Sequence, residues 1–282
     1  MTRHVREHLG QFGVWRGAKQ LTPELAVGIE QAGFGALWVG GSPAGDLRQV
    51  EQLLDATSTL TLATGIVNMW QADARTVAAS FARIEASHPG RFLLGVGAGH
   101  REATQEYAKP FDTLVSYVGA LLGDGVPATS LVLAALGPKV LRLAAERTAG
   151  AHPYLVPAAF TRGARRILGA GPLLAPEQKV VLDADPERAR ATGRPWVRNP
   201  YLGLVNYTSN LRRLGWSDAD LSGGGSDALI DALVAHGNAG QVAARLTEHL
   251  DAGADHVAIQ LITEPGADLL DGYGQLASAL GL

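Results

Sequence analysis

Cysteine is absent from the 282-residue chain, which excludes disulfides, thiolate metal sites and cysteine nucleophiles. An excess of either charge sign is also missing. Lys plus Arg number 24 against 27 Asp plus Glu, for a net charge of −3, so the basic surface selected by nucleic acids and anionic membranes is not favoured. No apolar run approaches the roughly 18–20 residues that span a bilayer. The opening MTRHVREHLG carries charge with no apolar stretch behind it, unlike a secretory signal. The expectation is a soluble, cytoplasmic protein with a small-molecule substrate and neither nucleic acid nor membrane as partner, a homodimer being left open.

Glycine is plentiful. It accounts for 35 of 282 residues, about 12% against a usual share of roughly 7%. With 14 Pro, the two together stay well below the roughly 25–30% that marks disorder, and 46% hydrophobic residues can form a large core.

The apolar pattern alternates between short runs and amphipathic stretches. Strands are predicted over 9–15, 36–39, 60–66, 91–96, 130–134, 151–156, 178–182 and 256–262. Helical patterns fall between them, over 24–31, 47–56, 74–86, 110–122, 138–147, 158–168 and 238–250. Thr22 suits an N-cap and Pro23 the first helical position, where a missing N–H costs nothing. Ala32-Gly33, Gly90, Ala149-Gly150 and Ala252-Gly253 read as helix stops, since glycine supplies the left-handed conformation that closes a last turn. Eight near-continuous apolar strands alternating with helices fit an α/β fold of the TIM (β/α)8 barrel type in one domain, 1–282. An open doubly wound sheet is the competing reading; the strand count and the lack of GxGxxG after strand one weigh against it.

Asp183–Gly237 is longer than one crossover and contains Pro195, Pro200 and the run Ser222–Ser226. It reads as an insertion between strands 7 and 8, about 185–226, with a helix carrying Tyr201, Leu202, Leu204, Val205, Leu211 and Leu214 on a broad apolar side. An ordinary decorated helix layer fits the same residues.

Barrels carry their chemistry at the C-terminal strand ends. Those ends deliver Trp15-Arg16-Gly17, Gly40-Gly41-Ser42, Thr64 to Asn68 with Trp70, Gly95 to His100, Leu136-Gly137-Pro138 and His152-Pro153-Tyr154. Glycine there lets a flat ligand or a phosphate approach the backbone, and Gly137-Pro138 at a helix start suits an anion. For any single glycine a simple turn explains as much.

The segment TGIVNMWQADARTVAASFARIEASHPGRFLLGVGAGHREA (64–103), with QFGVWRG, AALGPKVLRLAAERTAGAHPYLV and DAGADHVAIQ, resembles the bacterial luciferase-like oxidoreductases. These are TIM barrels that use FMN or the deazaflavin coenzyme F420, and the pattern is most similar to deazaflavin-dependent members. The resemblance implies a non-proline cis peptide at Gly65–Ile66 behind the central ring, with Asn68 contacting the ring system. It implies Gly97 and Gly99 along the cofactor's side chain, Leu136, Gly137 and Pro138 at its phosphate, and Leu155 and Val156 near its tail.

One departure limits the analogy. The Asp-His pair that alcohol and sugar-phosphate dehydrogenases of this superfamily carry after strand two is replaced by Val39-Gly40-Gly41-Ser42, so their alcohol-oxidising activity does not transfer. His100 is then the first acid–base candidate, with an exposed or phosphate-binding histidine as the plainer alternative. His152 reads as a satisfied core histidine. Trp15, Trp38 and Trp70 are candidates for the substrate pocket, core packing being an equal reading, and Arg16 for an anionic substrate group. The remaining histidines and the carboxylates show no metal-ligand spacing, and no metal is expected. The leading expectation is an F420-dependent oxidoreductase that moves a hydride to or from a small organic substrate. The alternatives are an FMN-dependent monooxygenase and a cofactor-binding protein without turnover.

Overall fold

The computed structural model describes residues 8–99, 110–264 and 266–282. Its first half alternates β1 (Phe12–Gly17), α1 (Pro23–Gln31), β2 (Ala36–Gly40), α2 (Arg48–Ala56), β3 (Thr61–Gly65), β4 (Val67–Asn68), α3 (Ala74–Ser87), β5 (Phe92–Gly97) and α4 (Pro110–Gly123). Then come β6 (Leu131–Leu133), α5 (Pro138–Arg147), β7 (Gly150–Ala151), α6 (Ala158–Leu168), β8 (Leu173–Leu174) and β9 (Glu177–Val181). After β9 lie α7 (Pro186–Arg198), α8 (Val205–Arg213), α9 (Asp218–Leu221), α10 (Asp227–Leu233), β10 (Val234–His236), α11 (Ala239–Asp251), β11 (Val257–Leu261) and α12 (Leu269–Leu280).

The strands form one curled, all-parallel sheet in the order β10-β9-β11-β1-β2-β3-β5-β6-β7-β8, with β4 beside β5. Its path returns on itself, because β8 and β9 are separated only by Ala175 and Pro176. On one edge of this stretch, Leu173, Ala175 and Glu177 donate their N–H groups to Ala149, Ala151 and Pro153 at 2.7–2.9 Å. On the other edge, Ala258 N–H meets Pro176 O at 2.9 Å.

Parallel strands buried on both faces divide their side chains between two cores. Trp15, Trp38, Ala63, Leu93, Val132, Leu173 and Ala258 pack together inside the curl. Their neighbours Val14, Leu37, Val39, Leu62, Leu94 and Ile259 pack outward with helical residues such as Ile29, Leu54, Val77 and Phe81. A third cluster lies under α7, α8 and α10, where Ala189, Val197, Leu204, Leu211, Leu229 and Ile230 meet Leu155, Val181 and Ile262.

The caps follow the sequence in most places. Thr22 accepts from Leu25 N–H with Pro23 at the first helical position, and Gly33, Gly90 and Gly253 take φ of 96°, 71° and 101°. Gly150 is a correction. Thr148 ends α5, and Gly150 opens β7 with the Leu173 carbonyl so close that an added Cβ would lie 1.9 Å from its oxygen. The strand predicted over 151–156 stops at Ala151, because Pro153 has no N–H to give and Leu155 donates to the Glu177 carboxylate at 3.0 Å. The helix expected over 201–214 is a 3-10 turn, Tyr201–Gly203, followed by α8. Helices α7, α9, α10 and α12 and strands β4, β8 and β10 have no counterpart in the sequence expectations.

A stacked set of rings fixes the interior. Trp38, fully buried, stacks on His152 at 4.0 Å between centroids and donates Nε1–H to His256 Nε2 at 3.0 Å. Nδ1 of His152 bonds the Ala175 carbonyl at 2.7 Å and Nδ1 of His256 the Gly10 carbonyl at 2.8 Å, so each Nδ1 carries the proton. In the helix layer His249 bonds Thr161 and Gln178. Burial holds His152 down to about 3 and His249 and His256 to about 4, so all three are neutral in the fold. The unfolded chain takes up these protons as pH falls through about 6.5. Their contribution is therefore complete above that pH and is lost down to pH 3–4, by at most about 1.4 kcal/mol per histidine per pH unit. The midpoint of thermal unfolding is expected to drop by at least about 5 °C between pH 7 and pH 5. An unchanged midpoint would show that these histidines are not held neutral.

Candidate functional site

At the C-terminal ends of the strands lies a cavity of about 330 Å³, within the range of small-molecule sites. One wall is mostly backbone and small side chains: Gly41-Ser42, Gly65-Ile66, Ala98-Gly99 and Ala134 to Gly137. The rest of the lining is largely aromatic, with Trp15 packed beside Gly65, then Tyr154, Tyr201 and Tyr207 with Asn206, and Phe111 and Leu114 of α4. Among the described residues no Asp, Glu, Lys or Arg lines it.

Glycine creates the backbone wall. An added Cβ at Gly40 would sit 2.0 Å from the Trp15 ring, and one at Gly65 would sit 2.6 Å from Trp15 Nε1 and 3.0 Å from His152 Nε2. The missing side chains make room for the indole that faces the cavity. The Gly65–Ile66 peptide is cis. Gly137 is the N-cap of α5 and has no side chain to satisfy the first-turn N–H groups, and space is open for 4 Å around its Cβ position. Those N–H groups and the helix dipole suit an anion. Trp15 Nε1 and His152 Nε2 are buried without a hydrogen-bond partner among the described residues.

Behind the aromatic wall is a buried charged network. Glu177 and Lys179 project from β9 with no solvent exposure and pair at 3.1 Å. Lys179 Nζ also donates to Gln260 Oε1 at 3.0 Å and lies 3.9 Å from the centre of the Tyr154 ring. Tyr154 Oη donates to the same Gln260 oxygen at 2.8 Å and receives the Tyr201 hydroxyl at 3.2 Å. Burial raises the Glu177 pKa and lowers that of Lys179, and their mutual attraction opposes both shifts. Burial also lifts Tyr201 to about 12, leaving its phenol un-ionised at neutral pH.

The expected site residues divide into two groups. Trp15, Gly65, Ile66, Gly99, Leu136 and Gly137 line the cavity. Asn68 stands behind Gly99 and accepts the Trp70 backbone N–H, and Gly97 packs against Ala134 and Ile66. Pro138 is the first residue of α5, beyond the lining. Trp38 is held away by His152 and His256, and Trp70 packs against the outer core. Leu155 and Val156 are buried in the hydrophobic clusters. Arg16 alternates outward from Trp15 and donates to the Leu261 carbonyl, away from the cavity. His152 is only half satisfied, with Nδ1 paired and Nε2 not. His100 lies outside the described residues.

Glu177, Lys179, Gln260 and Tyr207 were not singled out from sequence, whereas Tyr154 was named at a strand end and Tyr201 on the insertion. The available signal was Glu177 and Lys179 two residues apart in a strand, a spacing that turns both to one face. No group of three or more metal-ligating side chains occurs among the described residues, and no described helix is long and apolar enough to cross a membrane.

Residues 8–123 match the family model described as luciferase-like monooxygenase, so the resemblance drawn from the motifs holds at that level. No curated protein matches the chain. Among solved structures it is similar to an F420-dependent secondary alcohol dehydrogenase in complex with an F420-acetone adduct, at 17% identity and TM-score 0.74 over 96% of this chain and 99% of that one. It is similar to the coenzyme F420 dependent tetrahydromethanopterin reductase from Methanopyrus kandleri, at 15% identity and TM-score 0.70 over 96% and 98%. A type II Baeyer-Villiger monooxygenase in complex with FMN, the oxygenating constituent of 3,6-diketocamphane monooxygenase from Pseudomonas putida, matches at 12% identity and TM-score 0.68 over 96% and 98%. At these identities the likeness is one of fold.

The buried pair gives a stability test. Lys179→Met leaves Glu177 buried without its cation and is expected to cost about 3–5 kcal/mol in chemical denaturation, whereas Glu177→Gln with Lys179→Met recovers more than half of the loss. Equal losses in the single and double variants would contradict the pairing.

Proposed function

We propose that the protein is an oxidoreductase that binds a flavin-type cofactor against the backbone wall of this cavity, coenzyme F420 in preference to FMN, and transfers a hydride to or from a small organic substrate. The observation that carries the proposal is the wall itself. Gly65-Ile66, Ala98-Gly99 and Ala134 to Gly137 bring backbone and mostly small side chains to the cavity, and the uncapped helix start at Gly137 is part of the same lining. A planar ring system fits such a surface and a phosphate fits the N–H groups behind Gly137. The unpartnered Trp15 Nε1 and His152 Nε2 add a donor and an acceptor beside Gly65.

The bound cofactor would supply the two-electron chemistry, and the protein's part is to hold, orient and exclude water. The lining described above suits that division, since its residues are apolar or neutral. The preference for F420 rests on the motif pattern of residues 64–103, and both F420 and FMN occur among the similar folds. In the same reading the curled sheet is a (β/α)8 barrel in a single domain, with Leu173–Val181 as its seventh strand and the helices after β9 as an insertion at the mouth. His100, next in sequence to Gly99, is the acid–base residue of this reading.

Titration of the purified protein with F420 and with FMN, followed by absorbance and fluorescence, tests it. F420 is expected to bind at least tenfold more tightly. Tight FMN binding with none of F420 would replace the reading with an FMN enzyme, and binding of neither would remove it. Gly137→Ala separates the site from the fold. The open space around the Cβ position keeps the stability cost below about 1 kcal/mol, while F420 affinity is expected to fall at least tenfold. Unchanged affinity would remove Gly137 from the site.

A further inference from the structure

Two tryptophan–histidine combinations occupy the interior, and only one of them is closed. Trp38 donates Nε1–H directly to His256 Nε2 at 3.0 Å. Trp15 Nε1 and His152 Nε2 offer the same donor and acceptor, yet neither has a hydrogen-bond partner among the described residues. Both side chains line the cavity and are more than nine-tenths buried, at 7% and 1% exposure. They also converge. The position of a Cβ on Gly65, another lining residue, is 2.6 Å from Trp15 Nε1 and 3.0 Å from His152 Nε2. Glycine leaves the angle between them without a side chain.

The hydrogen-bonding sense of each atom is fixed. An indole N–H only donates. His152 is tied through Nδ1 to the Ala175 carbonyl at 2.7 Å and stacked on Trp38, so a flip of the ring would break that bond and Nε2 presents a lone pair. Burial keeps the ring neutral. The neighbouring rings that titrate, Tyr154 beside Trp15 and His256 beyond Trp38, are un-ionised at neutral pH. A buried donor and a buried acceptor carry a desolvation penalty until a partner arrives. One oxygen satisfies both only by accepting from Trp15 and donating to His152, which is the behaviour of a hydroxyl. A carbonyl or ether satisfies Trp15 alone, and a methyl group neither. A phenolate sets its charge against the His152 lone pair, with no cation in the lining among the described residues.

We propose that Trp15 and His152 form a hydroxyl site beside Gly65 that takes an un-ionised phenol or alcohol, Trp15 Nε1–H donating to the ligand oxygen and His152 Nε2 accepting from its O–H. Both are specificity-determining residues. The hydroxyl has two sources. One is the cofactor ring, since F420 carries a phenolic hydroxyl where FMN carries a methyl group; the other is the substrate. Assigning it to the cofactor rests on the reading that the ring lies against Gly65-Ile66, whereas the hydroxyl site itself does not. On that assignment the pair is what separates F420 from FMN.

The test uses the cofactor-free protein and two coumarins of nearly the same shape, 7-hydroxycoumarin and 7-methylcoumarin. Calorimetry on wild type is expected to show binding of the hydroxyl compound at least about tenfold tighter. The absorbance of bound 7-hydroxycoumarin, which distinguishes phenol from phenolate, is expected to titrate at least about one pH unit above that of the free dye. His152→Asn keeps a donor for the Ala175 carbonyl and removes the acceptor, and Trp15→Phe removes the donor and keeps an aromatic ring. Each is expected to cut the hydroxyl preference at least about fivefold while 7-methylcoumarin affinity stays within about threefold. If His152→Asn does not fold, Trp15→Phe and the wild-type titration decide. Equal binding of the two coumarins by wild type, binding of neither, an unshifted titration, or a preference that survives both variants overturns the proposal. Competition then assigns the source. Displacement of 7-hydroxycoumarin by F420, with the F420 hydroxyl held protonated in wild type and released in His152→Asn, assigns the site to the cofactor. Coumarin binding alongside F420 assigns it to the substrate. Failure of both F420 and FMN to bind while the hydroxyl preference holds strikes the cofactor reading and leaves this site standing; tight F420 binding with no hydroxyl preference does the reverse.

Discussion

A lysine ammonium removed from water must find all its partners inside the protein, and the cavity's aromatic wall is arranged around that demand. Lys179 meets it with the Glu177 carboxylate, the Gln260 oxygen and the face of Tyr154. Three segments converge to supply them: β9 itself, β11 through Gln260, and the irregular stretch after β7 through Tyr154. The Glu177 carboxylate also takes the Leu155 N–H, which settles the backbone in the place where a regular strand would have continued. A buried pair of this kind adds little net stability, because desolvation offsets attraction, but it makes one arrangement far cheaper than its rivals. Here it fixes the end of β7, the position of Tyr154 and the direction of two phenolic hydroxyls.

Facing this polar network is a wall built by omission. Gly40 and Gly65 occupy inward positions where side chains would collide with Trp15, and Gly137 leaves a helix start bare. The two walls divide the cavity chemically. One is largely backbone and small side chains, and the other is aromatic, carrying the Trp15 indole and three tyrosines. The Trp38 stack between His152 and His256 supports both, since His152 stands beside Gly65 at the cavity and Trp38 anchors it from behind. Neutral histidines serve this purpose because each presents one donor and one acceptor without the cost of a buried charge.

Much of the fold was legible in the sequence because its signals are local. Thr22-Pro23 and the glycines at 33, 90 and 253 act within a turn of the chain, and the apolar runs mark the strands however the sheet curls. Gly150 misled because the same residue type serves a helix stop and a close approach between strands, and only the position of Leu173 distinguishes them. Trp15 and Trp38 are partners in register across β1 and β2, yet only Trp15 reaches the cavity. That difference depends on His152 and His256, more than a hundred residues further along the chain. The glycines of the backbone wall were visible as a cluster at strand ends. The charged network was not, because Glu177 and Lys179 become a pair with a purpose only when Gln260 and Tyr154 arrive from distant segments. The insertion that carries Tyr201 and Tyr207 reads from sequence as lying beside the barrel mouth, but nothing local marked which of its side chains would line the cavity.

A crystal structure of the protein grown with F420 bears most directly on whether the cavity is a cofactor site. The ring system is expected in van der Waals contact with Gly65 and Ile66, with a phosphate at the N–H groups that follow Gly137 and the Tyr201 hydroxyl across the remaining space. Ring density elsewhere on the protein, or along the tyrosines in place of the backbone wall, would contradict it.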